Sequence, residues 1–256
     1  MFSSCRILLL AATALLTLPL TGCDNLFGLA PEGTALVQVN LTHHATPTDG
    51  QFPDTSTALG NREFDNDEGW TVTLTEAFIV TANVSLQTCD GKEIGLERYW
   101  GAVPENLSGQ DLDLSTFGGT EVSPGHYCGV TVTYGPFSPA GEAARQHEMP
   151  EDAAALDGTT ILLTGYATRG DDLVEFEVRN TERLVVDLPI TEADGGPLVV
   201  SGEEYFPVEL TLSKTYDRFF DGIDFSQASS EDLSANTLAV LAIETRLTTG
   251  TAIAAD

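Results

Sequence analysis

Apolar residues recur at every second position over much of the chain. Ala35, Val37, Val39 and Leu41 alternate with other residues, and so do Cys128, Val130, Val132 and Tyr134. The longest such run starts at Trp70 and continues through Val72, Leu74, Glu76, Phe78, Val80, Ala82, Val84 and Leu86. A period of two places these side chains on one face of an extended segment, the pattern of a half-buried strand. The run from Trp70 is longer than an ordinary strand, which predicts a bend near Glu76. Further strand-like segments cover 160–168, 173–178, 184–190 and 208–212, with turn chemistry at Asp90-Gly91, Pro124-Gly125, Gly170-Asp171 and Gly195-Gly196. Many short strands with Gly and Pro punctuation predict an all-β fold, an antiparallel β-sandwich formed by residues 34–256 as one domain.

Two segments break the alternation. Residues 136–158 are rich in Pro, Ala and Glu and read as a long connection with one helical turn. Near the end, Leu238, Leu241, Ala242 and Thr245 share a face of a helix that Ser230 or Ser234 would cap, and this helix should cover a sheet edge or an open end of the sandwich.

The first 22 residues have a different character. One positive charge at Arg6 precedes an apolar run from Ile7 to Leu20, the arrangement of a secretory signal and too short for a permanent membrane span. Leu20-Thr21-Gly22-Cys23 resembles the bacterial lipobox. The resemblance implies a signal peptide over 1–22, lipid attachment at Cys23 and a tether over 23–33. The domain would then sit at the bacterial cell envelope, membrane-anchored and facing the periplasm or exterior, with the lipid as its membrane partner. Cys5 would leave with the signal and Cys23 would carry lipid, so Cys89 and Cys128 remain. An even pair in an exported chain predicts a disulfide; the alternative is that both thiols bind metal.

Charge narrows the partners. Eleven Lys and Arg stand against 39 Asp and Glu, a formal net charge of −28, so no basic surface is available for nucleic acid or anionic lipid. The carboxylates are dispersed along the chain, resembling the salt-tolerant surfaces of halophile proteins, and salt should therefore stabilise the fold by screening them.

No catalytic template occurs: there is no Gly-x-Ser-x-Gly, Walker loop, His-Glu-x-x-His or Cys-x-x-Cys. The expectation is a protein without catalysis. Four histidines are present. His43 and His44 follow the first alternating run, and His126 follows the Pro124-Gly125 turn on the same strand face as Cys128. If the end of one strand and the start of the other meet at one rim, these three imidazoles form a site for Cu(II) or Zn(II), helped by a carboxylate from 65–68. The alternative is two exposed loop imidazoles at His43 and His44 and a loop-capping side chain at His126. His147, in the connection, is expected to be exposed.

The stretch Val122-Ser-Pro-Gly-His-Tyr-Cys-Gly-Val-Thr-Val132, with Trp70 to Leu86 and Phe219-Phe220-Asp221-Gly222-Ile223-Asp224-Phe225, resembles exported bacterial sandwich lipoproteins. Among these are the periplasmic copper-binding lipoproteins associated with methanobactin. The resemblance covers about half of the chain and implies a metal-binding envelope protein that uses His and aromatic residues. Met1 and Met149 are the only methionines, so soft Cu(I) ligands are scarce. The expected function is a lipid-anchored extracytoplasmic binding protein for Cu(II) or Zn(II). The alternative is a structural or assembly component acting through an envelope protein partner.

Overall fold

The computed structural model describes residues 33–99, 101–138, 153–192, 195–203, 205–251 and 253. The segments expected as signal (1–22) and tether (23–33), apart from Gly33 and including Cys23, lie outside the described residues, as does His147.

Among the described residues fourteen strands form two sheets. They are β1 (Ala35–His44), β2 (Arg62–Asp65), β3 (Thr71–Thr88), β4 (Glu93–Gly95), β5 (Glu97–Arg98), β6 (Val103–Asn106), β7 (Ser115–Val122), β8 (Gly125–Tyr134), β9 (Ile161–Arg169), β10 (Asp172–Asn180), β11 (Leu184–Pro189), β12 (Leu198–Val200), β13 (Val208–Thr215) and β14 (Thr245–Thr249). One sheet has the order β14-β13-β1-β7-β5; the other follows β10-β9-β3-β8-β11, with β2, β4 and β6 beside β3 and β12 beside β8. Alternating inward residues of both sheets make the core, so Val37, Val39, Leu41, Leu210 and Leu212 are all fully buried with Trp70, Val72, Leu74, Val84 and Leu86.

The all-β sandwich is as the alternation predicts, with one exception to its antiparallel pairing: β1 and β13 run parallel, Val37 opposite Val208 and His44 opposite Thr215. Parallel neighbours require a crossover, and here residues 45–207 lie between them. The run from Trp70 is one strand of 18 residues rather than two. Its register against β9 slips between Leu74 and Glu76, where a bulge takes up the curvature that the bend was expected to supply. Gly165 faces this bulge so closely that the Thr73 carbonyl leaves no room for a Cβ.

Helix α1 (Ser230–Glu244) forms where the sequence predicts it, but Ser229 rather than Ser230 or Ser234 caps it. The Ser229 hydroxyl accepts from the Asp232 N–H while the Asp232 carboxylate accepts from the Ser229 N–H, a reciprocal box that closes the first turn. Leu233, Thr237 and Leu241 are its buried stripe. The helix packs on β10 and β11 from one sheet and β13 from the other, which closes an open side of the sandwich. At the opposite strand ends Cys89 and Cys128 form a disulfide, with Cα atoms 4.9 Å apart.

Candidate functional site

The inward parity of β1, carried by Val37, Val39 and Leu41, reaches His43; that of β13, carried by Leu210 and Leu212, reaches Lys214. These two residues are register partners, and both project into the end of the core. Lys214 is one of two lysines in the chain and is 0% exposed. A buried ammonium persists only if paired. Its partner is Glu105 of β6, in the other sheet, whose Oε2 lies 2.5 Å from Nζ while Oε1 lies 3.1 Å from His43 Nδ1. A single carboxylate thus ties the two sheets together through two side chains.

A second pair adjoins the first. Arg62, which with Phe64 faces inward from β2, is 1% exposed. Its Nε donates to the Leu107 carbonyl at 3.0 Å and one terminal nitrogen donates to Ser56 Oγ at 2.7 Å. The other terminal nitrogen donates to the Gly109 carbonyl and lies 2.9 Å from Asp111 Oδ1. Tyr216 donates to Asp111 Oδ2 at 2.9 Å and meets Thr55 Oγ1 at 2.6 Å. His43 stands between the pairs, its Nε2 3.8 Å from Asp111 Oδ1.

Electrostatics follow from this packing. Burial pushes the Glu105 carboxyl up, yet Lys214 and His43 together hold it below the usual carboxylate range. Burial alone would lower the Lys214 ammonium, and Glu105 keeps it above its ordinary value. Burial raises the Tyr216 phenol, against the bond from Thr55 and with the help of Asp111. Besides His43, two carboxylates, Glu105 and Asp111, face two cations, Lys214 and Arg62, inside the cluster.

Over the second pair lies an open hollow of about 550 Å³. Arg62 and Asp111 are at its floor, Phe52, Pro53 and Leu112 give it apolar walls, and Asp54 is at its edge. The backbone N–H and hydroxyl of Ser56 hold the Asp54 carboxyl below the usual range, so it stays ionised.

The three histidines do not converge. His43 and His44 are within β1 and buried, at 4% and 5% exposure, not in a loop. The His44 Nδ1 lies 2.9 Å from the Ala45 carbonyl, and its ring meets Phe52 edge-on at 4.9 Å. His126 is exposed at the start of β8, beside the disulfide, and lines a separate hollow of about 640 Å³. The end of β8 that approaches Lys214 is Tyr134. Eight residues of strand separate it from His126, roughly 26 Å at about 3.3 Å per residue. The rim shared by β1 and β8 therefore joins the end of β1 to the end of β8, not to its start. The carboxylates that reach His43 are Glu105 and Asp111; residues 65–68 instead hold the loop after β13, where Asn66 donates to the Phe220 and Ile223 carbonyls.

A divalent cation does not fit at His43 as the side chains stand. Its Nε2, Asp111 Oδ1 and the Gly109 carbonyl do face one another, but the Arg62 guanidinium is already bonded to both oxygens. Among the described residues no group of three His, Cys, Asp or Glu side chains is arranged to hold a metal.

No family model matches this sequence, and no curated protein matches it. Among solved structures the chain is similar to MbnP from Methylosinus trichosporium, with 10% identity over 85% of this chain and 99% of that chain and a TM-score of 0.41. A likeness of that degree bears on neither ligand nor activity.

Proposed function

We propose that this is a lipid-anchored extracytoplasmic binding protein that does no covalent chemistry, and that its ligand is a small organic cation taken by the hollow above Arg62 and Asp111. The observation that carries the reading is the division of charge. The floor pair is internally neutral, whereas Asp54 at the edge is ionised and beside an aromatic wall, Phe52, and cations favour both a carboxylate and a π-face.

The mutual engagement of the titratable groups supports a reading without a chemical step. His43 Nδ1 is held by Glu105, Glu105 by Lys214, and Asp111 by Arg62 and Tyr216, which leaves no unengaged base among them. Displacing Arg62 in favour of Cu(II) or Zn(II) would leave a buried guanidinium without its carboxylate, a cost of about 3–5 kcal/mol.

Calorimetric titration of untagged protein tests the choice, with choline and an alkylguanidinium as organic probes and Cu(II) and Zn(II) as metal probes. The expected result is saturable binding of an organic probe, weakened about fivefold by Asp54→Asn. Stoichiometric metal with no organic binding would overturn this reading.

A further inference from the structure

The loop between β12 and β13 carries two adjacent aromatic residues, Tyr205 at 78% and Phe206 at 80% exposure, and Val199 of β12, the strand that leads into this loop, is 58% exposed. Bare aromatic rings in a row are uncommon on a water-facing surface, since each buries a large apolar area once covered. Their place in the fold indicates what covers them. A Cβ added to Gly202 would stand 3.3 Å from the carbonyl of Gly33 and 2.8 Å from Pro124, so this loop is packed against the first described residue of the domain. Tyr205 is three residues from Gly202 and therefore within about 11 Å of it at full extension.

Gly33 is where the tether enters, and the nine residues 24–32 separate Cys23 from it, ten Cα–Cα steps in all. Whatever their conformation, they span at most about 35 Å. An anchor at Cys23 thus keeps this end of the sandwich, which carries Tyr205 and Phe206, within about 35 Å of the bilayer.

We propose that Tyr205 and Phe206, with Val199, dock the domain on the phospholipid interface, where aromatic side chains settle at headgroup level. This inference rests on the lipid anchor, which turns a contact too weak to recruit the protein alone into an intramolecular one at high effective concentration. The acidic domain selects a zwitterionic surface, because an anionic one repels it within a Debye length. Docking here fixes the orientation of the domain, with the hollow at Asp54 and Asp111 turned away from the membrane and open to solvent.

Hydroxyl-radical footprinting on phosphatidylcholine vesicles reads both rings directly. The chain beginning at Cys23 is coupled through that thiol to a maleimide lipid, so the test does not depend on acylation in the cell; failure of native acylation is read separately by mass spectrometry of the membrane-extracted protein. Labelling of Tyr205 and Phe206 should fall severalfold on vesicles relative to the uncoupled chain. Leu59, 87% exposed in the loop before Arg62 at the far end, should label equally in both states. Replacing phosphatidylcholine with phosphatidylglycerol at low salt should restore labelling of both rings. Equal labelling of the rings in solution and on phosphatidylcholine would overturn the proposal. So would protection in solution that grows with protein concentration, since a second copy would then be the occupant. The variant Tyr205→Ser, Phe206→Ser should return Val199 to its solution labelling on vesicles; continued protection of Val199 would also count against it.

Discussion

Lys214→Met is expected to destabilise the fold by about 3–5 kcal/mol near pH 8, because it leaves the Glu105 carboxylate buried with only His43 to meet it. The pair spans the two sheets, so the loss falls on their association. Changing both partners, Lys214→Met with Glu105→Gln, should recover most of this, since an apolar and a neutral side chain leave no buried charge behind. The pH dependence has a definite sign. In the wild type, Glu105 has a depressed pKa, so its contribution is complete above the ordinary glutamate value, about 4.3, and is lost as pH falls through the lower folded value. In the single variant, burial without the ammonium raises the same carboxyl, and its penalty grows as pH rises above about 4.3. The gap between the two proteins in urea melts should therefore widen from pH 4 to pH 8. A single-variant cost below about 1 kcal/mol at pH 8, or a gap that narrows over that range, would show that the pair is not the tie described.

Removing the disulfide should have a similar effect by another route. Cys89 and Cys128 are 39 residues apart, and closing a loop of that size removes chain entropy worth about 4 kcal/mol from the unfolded state. Cys89→Ala with Cys128→Ala should lower the unfolding free energy by about that amount. The crosslink joins the end of β3 to the start of β8, far from Lys214, so the two losses should be additive to within about 0.5 kcal/mol. Wild-type stability unchanged by reductant would contradict the estimate.

Much of this arrangement is legible in the sequence, and the failures have physical causes. Parity alone identifies the core faces of β1 and β13 and of β8 from Val130 on, whereas a register shift between Gln87 and Thr88 leaves Cys128 exposed; the same parity points His43 and Lys214 inward. Reading β1 as ending at Leu41 hides this, and a scarce lysine on an apolar face was the available signal. Arg62, Glu105 and Asp111 give no comparable sign. Arg62 and Glu105 are on strands of four residues, too short to show a period, and Asp111 is in a loop. Glu105 meets His43 across 62 residues of chain, a distance only the topology sets. The three-histidine site fails for the same reason. His126 is correctly placed on the face of Cys128, but local pattern does not reveal that the start of β8 and the end of β1 are at opposite ends of the sandwich. Nor does local pattern distinguish the parallel pairing of β1 with β13 from an antiparallel one.

The account depends most on where the protein is held, because the anchor proposed at Cys23 would place it outside the cytoplasm and keep the Gly33 end of the sandwich within reach of the bilayer. Intact-mass and peptide analysis of the protein extracted from membranes of cells expressing the full chain measures this directly. The predicted result is a mature chain that begins at Cys23, lacks residues 1–22 and carries a diacylglyceryl group on that cysteine, with Cys23→Ser giving only uncleaved, unlipidated precursor. A mature chain with an unmodified thiol at Cys23, or one cut elsewhere, would contradict it.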